Sequence, residues 1–203
     1  VLAVRNPLEV AASLKKAEGI DESKGMLLWL QYFLAAEFRT RREVRCFVGY
    51  DDLLSDWRAV ADHMTSSLNL VFPRRGRRAE AEVDSFLTRD LRHQTSEYDE
   101  VFARQDVSDW VKQAYAWANQ AVSGCEEKAG RLDRIRRAFD LAEGVYGPII
   151  SGVELGKAQA DRRAQQLENE ALDLREGMSN SRLEIEELST RLTEMPPQIA
   201  LRS

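Results

Sequence analysis

The stretch Val1-Leu2-Ala3-Val4-Arg5-Asn6-Pro7-Leu8-Glu9-Val10-Ala11-Ala12-Ser13 decides the fold. Val1–Val4 is a short apolar run of strand type, and the residues after it are helix-start signals. Asn6 suits an N-cap, Pro7 suits the first helical position, and Glu9 has capping-box spacing from Asn6. The helix then runs through Val10, Ala11 and Leu14 to Gly19, a natural C-terminal stop. The unit is strand–turn–helix. A strand end that meets a helix N-terminus is a natural seat for an anion, because free backbone donors and the helix dipole favour negative charge there. Arg5 can add a fork of charged donors that matches a phosphate. Ser13 follows Asn6 by nearly two helical turns, so a hydroxyl lies on the same helix face. By physics alone, an Arg in such a turn more often makes a surface ion pair.

Working outward, Ser23–Arg42 has the pattern of a long helix. Met26, Leu27, Leu28, Trp29, Leu30, Phe33, Leu34 and Phe38 wrap most of its circumference, which predicts burial on several sides. Arg39, Arg41 and Arg42 complement the dipole at its end. Val44–Tyr50 is a short β-rich run, apolar on both faces, as strands of a parallel sheet are. A further helix follows, with Leu53, Leu54, Trp57, Val60, Ala61, Met64 and Leu68 at helical spacing. The order strand–helix–helix–strand–helix implies an α/β layer fold with crossovers. Two strands are too few for a stable sheet, so this region is expected to need further strands upstream of Val1.

Val4-Arg5-Asn6-Pro7-Leu8-Glu9-Val10-Ala11-Ala12-Ser13 resembles the 3′-phosphate segment of the sulfotransferases that use 3′-phosphoadenosine-5′-phosphosulfate (PAPS). In that family Arg-[Asp/Asn]-Pro is followed by a Ser six residues after the Pro, and Pro7 to Ser13 keeps the spacing. Phe47-Val48-Gly49-Tyr50-Asp51-Asp52-Leu53-Leu54 is similar to the family's strand ending in Tyr-[Glu/Asp]-Asp-Leu. Phe86-Leu87…Leu91-Arg92-His93 is a looser match to the domain end in bacterial members. The resemblance covers about residues 1–95. It implies part of a P-loop-type three-layer fold with a parallel sheet, and Arg5 and Ser13 as contacts to the cofactor's 3′-phosphate. It also implies sulfuryl transfer from PAPS, without a metal, to a hydroxyl or amine acceptor such as a glycan. The family's phosphosulfate loop and its catalytic base have no counterpart in this sequence. The chain is therefore expected to hold one corner of the cofactor and to lack turnover by itself.

Arg74-Arg75-Gly76-Arg77-Arg78 follows Pro73 as a basic loop, read from its residues as solvated; the resemblance implies the alternative of a loop folded over the cofactor's 3′-phosphate, although the family's full motif is absent there. Glu80–Leu87 is a short predicted helix. From there to Gly147 the pattern is helical only. Ser108 caps a helix with Trp110, Val111, Ala114, Tyr115, Trp117, Ala118 and Ala121, and a second helix carries Leu132, Ile135, Phe139 and Ala142. Gly147-Pro148 is expected to break the chain. The tryptophans Trp29, Trp57, Trp110 and Trp117 are explained by core packing. His63 and His93 belong to unrelated patterns and make no pair.

The last long segment changes period. Ala164, Ala171, Met178, Ile185 and Leu192 recur every seven residues, and so do Leu167, Leu174, Ser181, Leu188 and Met195. These are the a and d series of one coiled-coil frame. In a parallel pair Arg163 would meet Glu168 and Glu170 would meet Arg175. Two alanines, one serine and Gly177 make the seam weak, and Pro196-Pro197 ends the helix. The expected organisation is the C-terminal part of a sulfotransferase domain at 1–95, a helical extension at 96–150, a coiled-coil helix at 151–195 and a disordered tail at 196–203. Residues 157–195 are the expected site of homo-oligomerisation.

The composition of the 203 residues, 43% hydrophobic and 31% charged, is that of an ordinary water-soluble protein. The net charge of −5 gives no basis for nucleic acid as a partner. No apolar run approaches the about 18 residues of a membrane span. The two cysteines, Cys46 and Cys125, lie in unlike contexts, so a disulfide is not expected and a cytoplasmic setting is. Two rival readings stand beside the sulfotransferase: a non-catalytic helical and coiled-coil interaction module, and another P-loop-type nucleotide enzyme such as a kinase.

Overall fold

The structure, a computed structural model, describes residues 1–74, 76–87, 97–125 and 128–194. Its opening elements are strand β1 (Leu2–Val4), helices α1 (Pro7–Glu18) and α2 (Glu22–Thr40), and strand β2 (Phe47–Gly49). Helices α3 (Tyr50–Ser55), α4 (Trp57–Leu68), α5 (Arg77–Phe86), α6 (Tyr98–Ala103), α7 (Asp109–Val122) and α8 (Gly130–Glu194) follow. The described residues are predominantly helical, with one small parallel sheet in which Leu2, Ala3 and Val4 align with Phe47, Val48 and Gly49.

Local signals set the ends of α1. The Asn6 Oδ1 accepts from the Leu8 N–H at 2.9 Å, Pro7 takes the first turn, and Gly19 closes the helix at φ 69°. That left-handed conformation is one glycine adopts at little cost. Asp21 caps α2, Asp56 caps α4 and Ser108 caps α7 in the same way. α1 and α2 form the crossover that parallel strands require. They pack so closely that a Cβ on Gly25 would stand 2.8 Å from the Ala11 Cα.

The first compact unit spans Val1–Leu141. Its main core gathers Leu2, Val4 and Phe47 from the sheet, Leu8 and Ala11 from α1, and Trp29, Leu30, Phe33 and Leu34 from α2. Val101, Val111, Trp117, Leu132 and Ile135 complete that core from α6, α7 and the start of α8. Trp117 is fully buried, with the Phe47 ring edge-on at 5.6 Å. A smaller cluster of Cys46, Val48 and Val60, backed by Leu53 and Met64, covers β2 from the other side. Thus β2 is covered on both faces, as its sequence predicts, whereas Ala3 of β1 remains exposed. Along β1 runs an apolar groove of about 560 Å³, lined by Leu2, Ala3, Val10, Leu28 and Tyr32 among others.

A charged cluster also lies inside this unit. The fully buried Glu37 receives two hydrogen bonds of 2.7 Å from Arg41, whose third nitrogen donates to Asp133 at 2.7 Å. Arg45 adds a bond of 2.8 Å to the Glu37 carbonyl. A buried carboxylate must be paired to be tolerated, and this one is saturated by two guanidinium groups. Arg41, expected merely to complement the helix dipole, instead ties the end of α2 to the start of α8. Trp57 is half-buried and donates through Nε1 to Asp84, which also pairs with Arg58.

Two expectations are corrected. Gly147-Pro148 does not break the chain, because α8 runs through Pro148. Proline forfeits one helical hydrogen bond and crowds the carbonyl four residues back. Here that carbonyl belongs to Gly144, and Gly147 immediately precedes the ring, so the backbone is lightly encumbered at the crowded turn. Arg77 and Arg78 are not loop residues, because they open α5, where Arg78 pairs with Glu82 at 3.2 Å. Arg75, residues 88–96 with His93 and the expected boundary at 95/96, and the tail at 196–203 lie outside the described residues.

The second unit is Ala142–Ser203, described to residue 194. From Glu143 to Arg191 every residue except Gly147 is exposed. Cys46 is buried, Cys125 is exposed, and both are free thiols. No helix among the described residues is long and apolar enough to cross a membrane.

The Gly25–Ala11 contact gives a direct test. Gly→Ala in a helix gains up to about 1 kcal/mol of propensity, but forcing a methyl against backbone costs about 1–3 kcal/mol. Gly25→Ala is expected to lower stability by about 1 kcal/mol net in urea denaturation, whereas an unchanged or raised midpoint would show that α1 and α2 can part without loss.

Candidate functional site

The register that sets Val4 beside Gly49 brings the next residues of both strands together at their carboxyl ends. Arg5 leaves β1 and Tyr50 leaves β2. The Arg5 guanidinium lies over the Tyr50 ring, 4.4 Å from its centroid. This cation–π contact is worth about 0.5–1 kcal/mol at a partly exposed site. Arg5 Nε also donates to Glu9 Oε2 at 3.1 Å. Glu9 is 1% exposed and Arg5 25% exposed. The carboxylate therefore sits inside the protein and its cation at the rim. Trp29 Nε1 donates to the Arg5 carbonyl at 3.0 Å, which pins the turn to α2. Asn6 Nδ2 reaches the Glu97 carbonyl at 3.4 Å.

Two consequences follow for anion binding. The contact with Glu9 uses Nε, so the pair of Nη groups that would grip a phosphate is not consumed by it. At the same time, the charge of Arg5 is balanced by a buried carboxylate bonded to it. Asp51 and Asp52 stand in the first turn of α3 beside Tyr50, which makes the corner close to neutral or acidic. Tyr115 of α7 belongs to the same neighbourhood. Burial raises its phenol pKa first, and the charges of Asp51 and Glu9 push in the same direction. Trp29 stands edge-on to Tyr115 at 6.0 Å and Tyr98 lies 5.5 Å away, so an aromatic wall backs the corner.

Ser13 is exposed on α1, one turn beyond Glu9 on the same helix face. The fold places Arg5 and Ser13 on one strand–helix unit but joins them by no hydrogen bond. The Asn6 cap satisfies the Leu8 N–H, so one of the donors offered by the N-terminus of α1 is taken. His63 is exposed on α4, with Ser67 Oγ at 3.5 Å. It lines a cleft of about 300 Å³ with Gly49, Asp52 and Asp56, a set rich in carboxylates and without arginine. Arg74 lies by a different apolar groove, with Phe72, Trp57 and Leu87. Among the described residues no group of three or more His, Cys, Asp or Glu side chains is placed to hold a metal ion.

Arg5 and the turn are legible in the sequence, whereas three members of the corner are not. Glu9 has the spacing of a cap residue, and its spacing from Arg5 also fits an ion pair. Tyr50 was part of a motif without an assigned contact. Tyr115 had one signal, a hydroxyl on an otherwise apolar face of α7. Comparison with family models, curated proteins and solved structures finds no match to this chain.

The Arg5–Glu9 pair is testable without any ligand. Removing one partner of a buried pair costs about 3–5 kcal/mol, and less when one partner reaches water. Arg5→Ala is expected to cost about 2 kcal/mol, with Arg5→Lys retaining more than half of the loss. Both are read from urea midpoints; equal midpoints for Arg5→Ala and the parent chain would show that Glu9 does not depend on Arg5.

Proposed function

We propose that the α/β part of this chain is the 3′-phosphate-holding portion of a PAPS-dependent sulfotransferase domain of the P-loop-type fold. One observation carries the reading. The two segments that resemble that family are 42 residues apart, counted from Arg5 to Phe47, yet they meet as parallel strands with Arg5 stacked on Tyr50. A crossover helix pair between parallel strands, with the polar residues at the carboxyl ends, is where open α/β sheets bind their ligands. The apolar groove along β1 is compatible with a further strand pairing there.

In this reading the co-substrate brings the activated sulfuryl group, and the residues of this chain hold its far end. Glu9 fixes the Arg5 guanidinium through Nε, and the Nη fork meets the 3′-phosphate. Ser13 donates its hydroxyl to the same phosphate. Tyr50 limits the swing of Arg5 by stacking on it. Charge stabilisation at the transferring group requires donors aimed at the 5′ end. None of the residues identified here supplies them, so the chain binds the nucleotide without turning it over. The acceptor is a hydroxyl or amine, with a glycan as the proposed class. A non-catalytic interaction module is the second reading, favoured by the long exposed apolar face of α8.

Calorimetry decides between them. Adenosine 3′,5′-bisphosphate is expected to bind this chain at least about tenfold more tightly than adenosine 5′-monophosphate, a difference of about 1.4 kcal/mol. Ser13→Ala, at an exposed position that leaves the fold intact, is expected to weaken the bisphosphate about fivefold, as the loss of one hydrogen bond does. Equal affinity for the two nucleotides would overturn the assignment.

A further inference from the structure

Unit two is a helix that cannot satisfy its own surface. Leu167, Leu174, Met178, Ile185 and Leu188 are each more than half exposed, although they belong to one a/d seam. An apolar stripe of this period is stable in water only when another helix covers it. The same frame extends toward the N-terminus through Ala160, Lys157, Val153 and Ile150, and it places Pro148 on the outer f face.

We infer that this seam is covered by the same seam of a second copy running antiparallel, with the two-fold axis between Leu172 and Asp173. The charge pattern selects this arrangement. The e positions change sign midway, from Asp161 and Glu168 to Arg175 and Arg182. About that axis the acidic half of one helix lies along the basic half of the other. At the g positions Arg163 meets Glu184 of the partner copy, twice per dimer. Sliding by one heptad in one direction sets Glu170 against its own copy; sliding in the other sets Glu170 on Glu184 and Arg163 on Arg191. Like charges facing one another are disfavoured, so a single antiparallel register stands out.

The core agrees with the charges. In this register Ala171 packs on Leu174, Leu167 on Met178, and Ala160 on Ile185. Most small residues face large ones, which keeps the helix spacing even. Lys157 at an a position lies across from Leu188 and can extend its ammonium to water. A parallel pair in register also has attractive flanks, Arg163 with Glu168 and Glu170 with Arg175. It must, however, stack Lys157 on Lys157, Ser181 on Ser181, and alanine on alanine at 160, 164 and 171. Lys157 facing Lys157 brings like charges together at one layer, and the small-on-small layers pack poorly, which disfavours that arrangement. The inference is independent of the nucleotide reading.

Cysteine cross-linking of the full chain tests it, in a Cys125→Ser background where the remaining Cys46 is buried. In the antiparallel register residue 164 of one copy faces residue 181 of the other. Ala164→Cys and Ser181→Cys proteins, mixed and oxidised in a glutathione buffer, are expected to give the mixed disulfide in at least about tenfold excess over either homodisulfide. Sedimentation of the parent chain is expected to show a dimer at tens of micromolar. Homodisulfides from each variant alone would establish the parallel pair and overturn the proposal, as would a monomer without cross-linking. A charge-reversal cycle gives an independent reading. Arg163→Glu and Glu184→Arg are each expected to weaken the dimer about fivefold, and the double variant to restore it. The parallel pair predicts no restoration, because Arg163 there faces Glu168.

Discussion

The parallel pairing of two three-residue strands is the constraint on which the first unit depends. Such strands cannot be joined by a tight turn, and so short a ladder gives little stability of its own. The chain between them must cross over, and it does so as the closely packed pair α1 and α2. The strands are then held by burial, with Leu2, Val4 and Phe47 entering the main core and Val48 the smaller one. Because the strands run the same way, both of their carboxyl ends open at one edge. That places Arg5 next to Tyr50, and the candidate corner is built around this contact.

Much of this arrangement was legible because it rests on local chemistry. Asn6, Pro7 and Gly19 bound α1 through capping and backbone preference, effects that extend over a few residues. The apolar character of Phe47 and Val48 announced a strand covered on both faces. What stayed hidden depends on partners distant in sequence. Glu37 sits on a helix wrapped by apolar residues, and nothing local distinguishes it from a solvated glutamate. Its burial becomes tolerable only when Arg41, Arg45 and Asp133 converge. Tyr115 joins the corner from α7, 110 residues after Arg5. Pro148 shows the opposite failure, where a strong local signal is outweighed by the helical preference of the long segments on either side.

The two units use charge in different ways. In the first, carboxylates are enclosed and matched one by one, as Glu9 is by Arg5 and Glu37 by Arg41 and Arg45. Such pairs add little net stability compared with an apolar replacement, but a broken one is costly, so they fix geometry. In the second, charges line an exposed apolar seam and individually contribute a few tenths of a kcal/mol, about 0.3–0.5 for pairs of this kind. Their value there lies in the pattern, which separates one pairing from its alternatives. The same residue types thus hold a turn rigid in one unit and, in the proposed dimer, select a register in the other.

The tight fit of Gly25 against Ala11 also bears on the order in which the chain acquires its shape. α1 and α2 are neighbours in sequence, so their contact closes a short loop, whereas Leu2 finds Phe47 only at a sequence separation of 45. Closing a loop of that length in a flexible chain carries an entropic penalty that a preformed helical hairpin largely removes. The hairpin is therefore suited to act as the folding nucleus, with sheet pairing a late and rapid consequence. A glycine chosen for close approach would in that case govern the rate at which the Arg5–Tyr50 corner assembles as well as its stability.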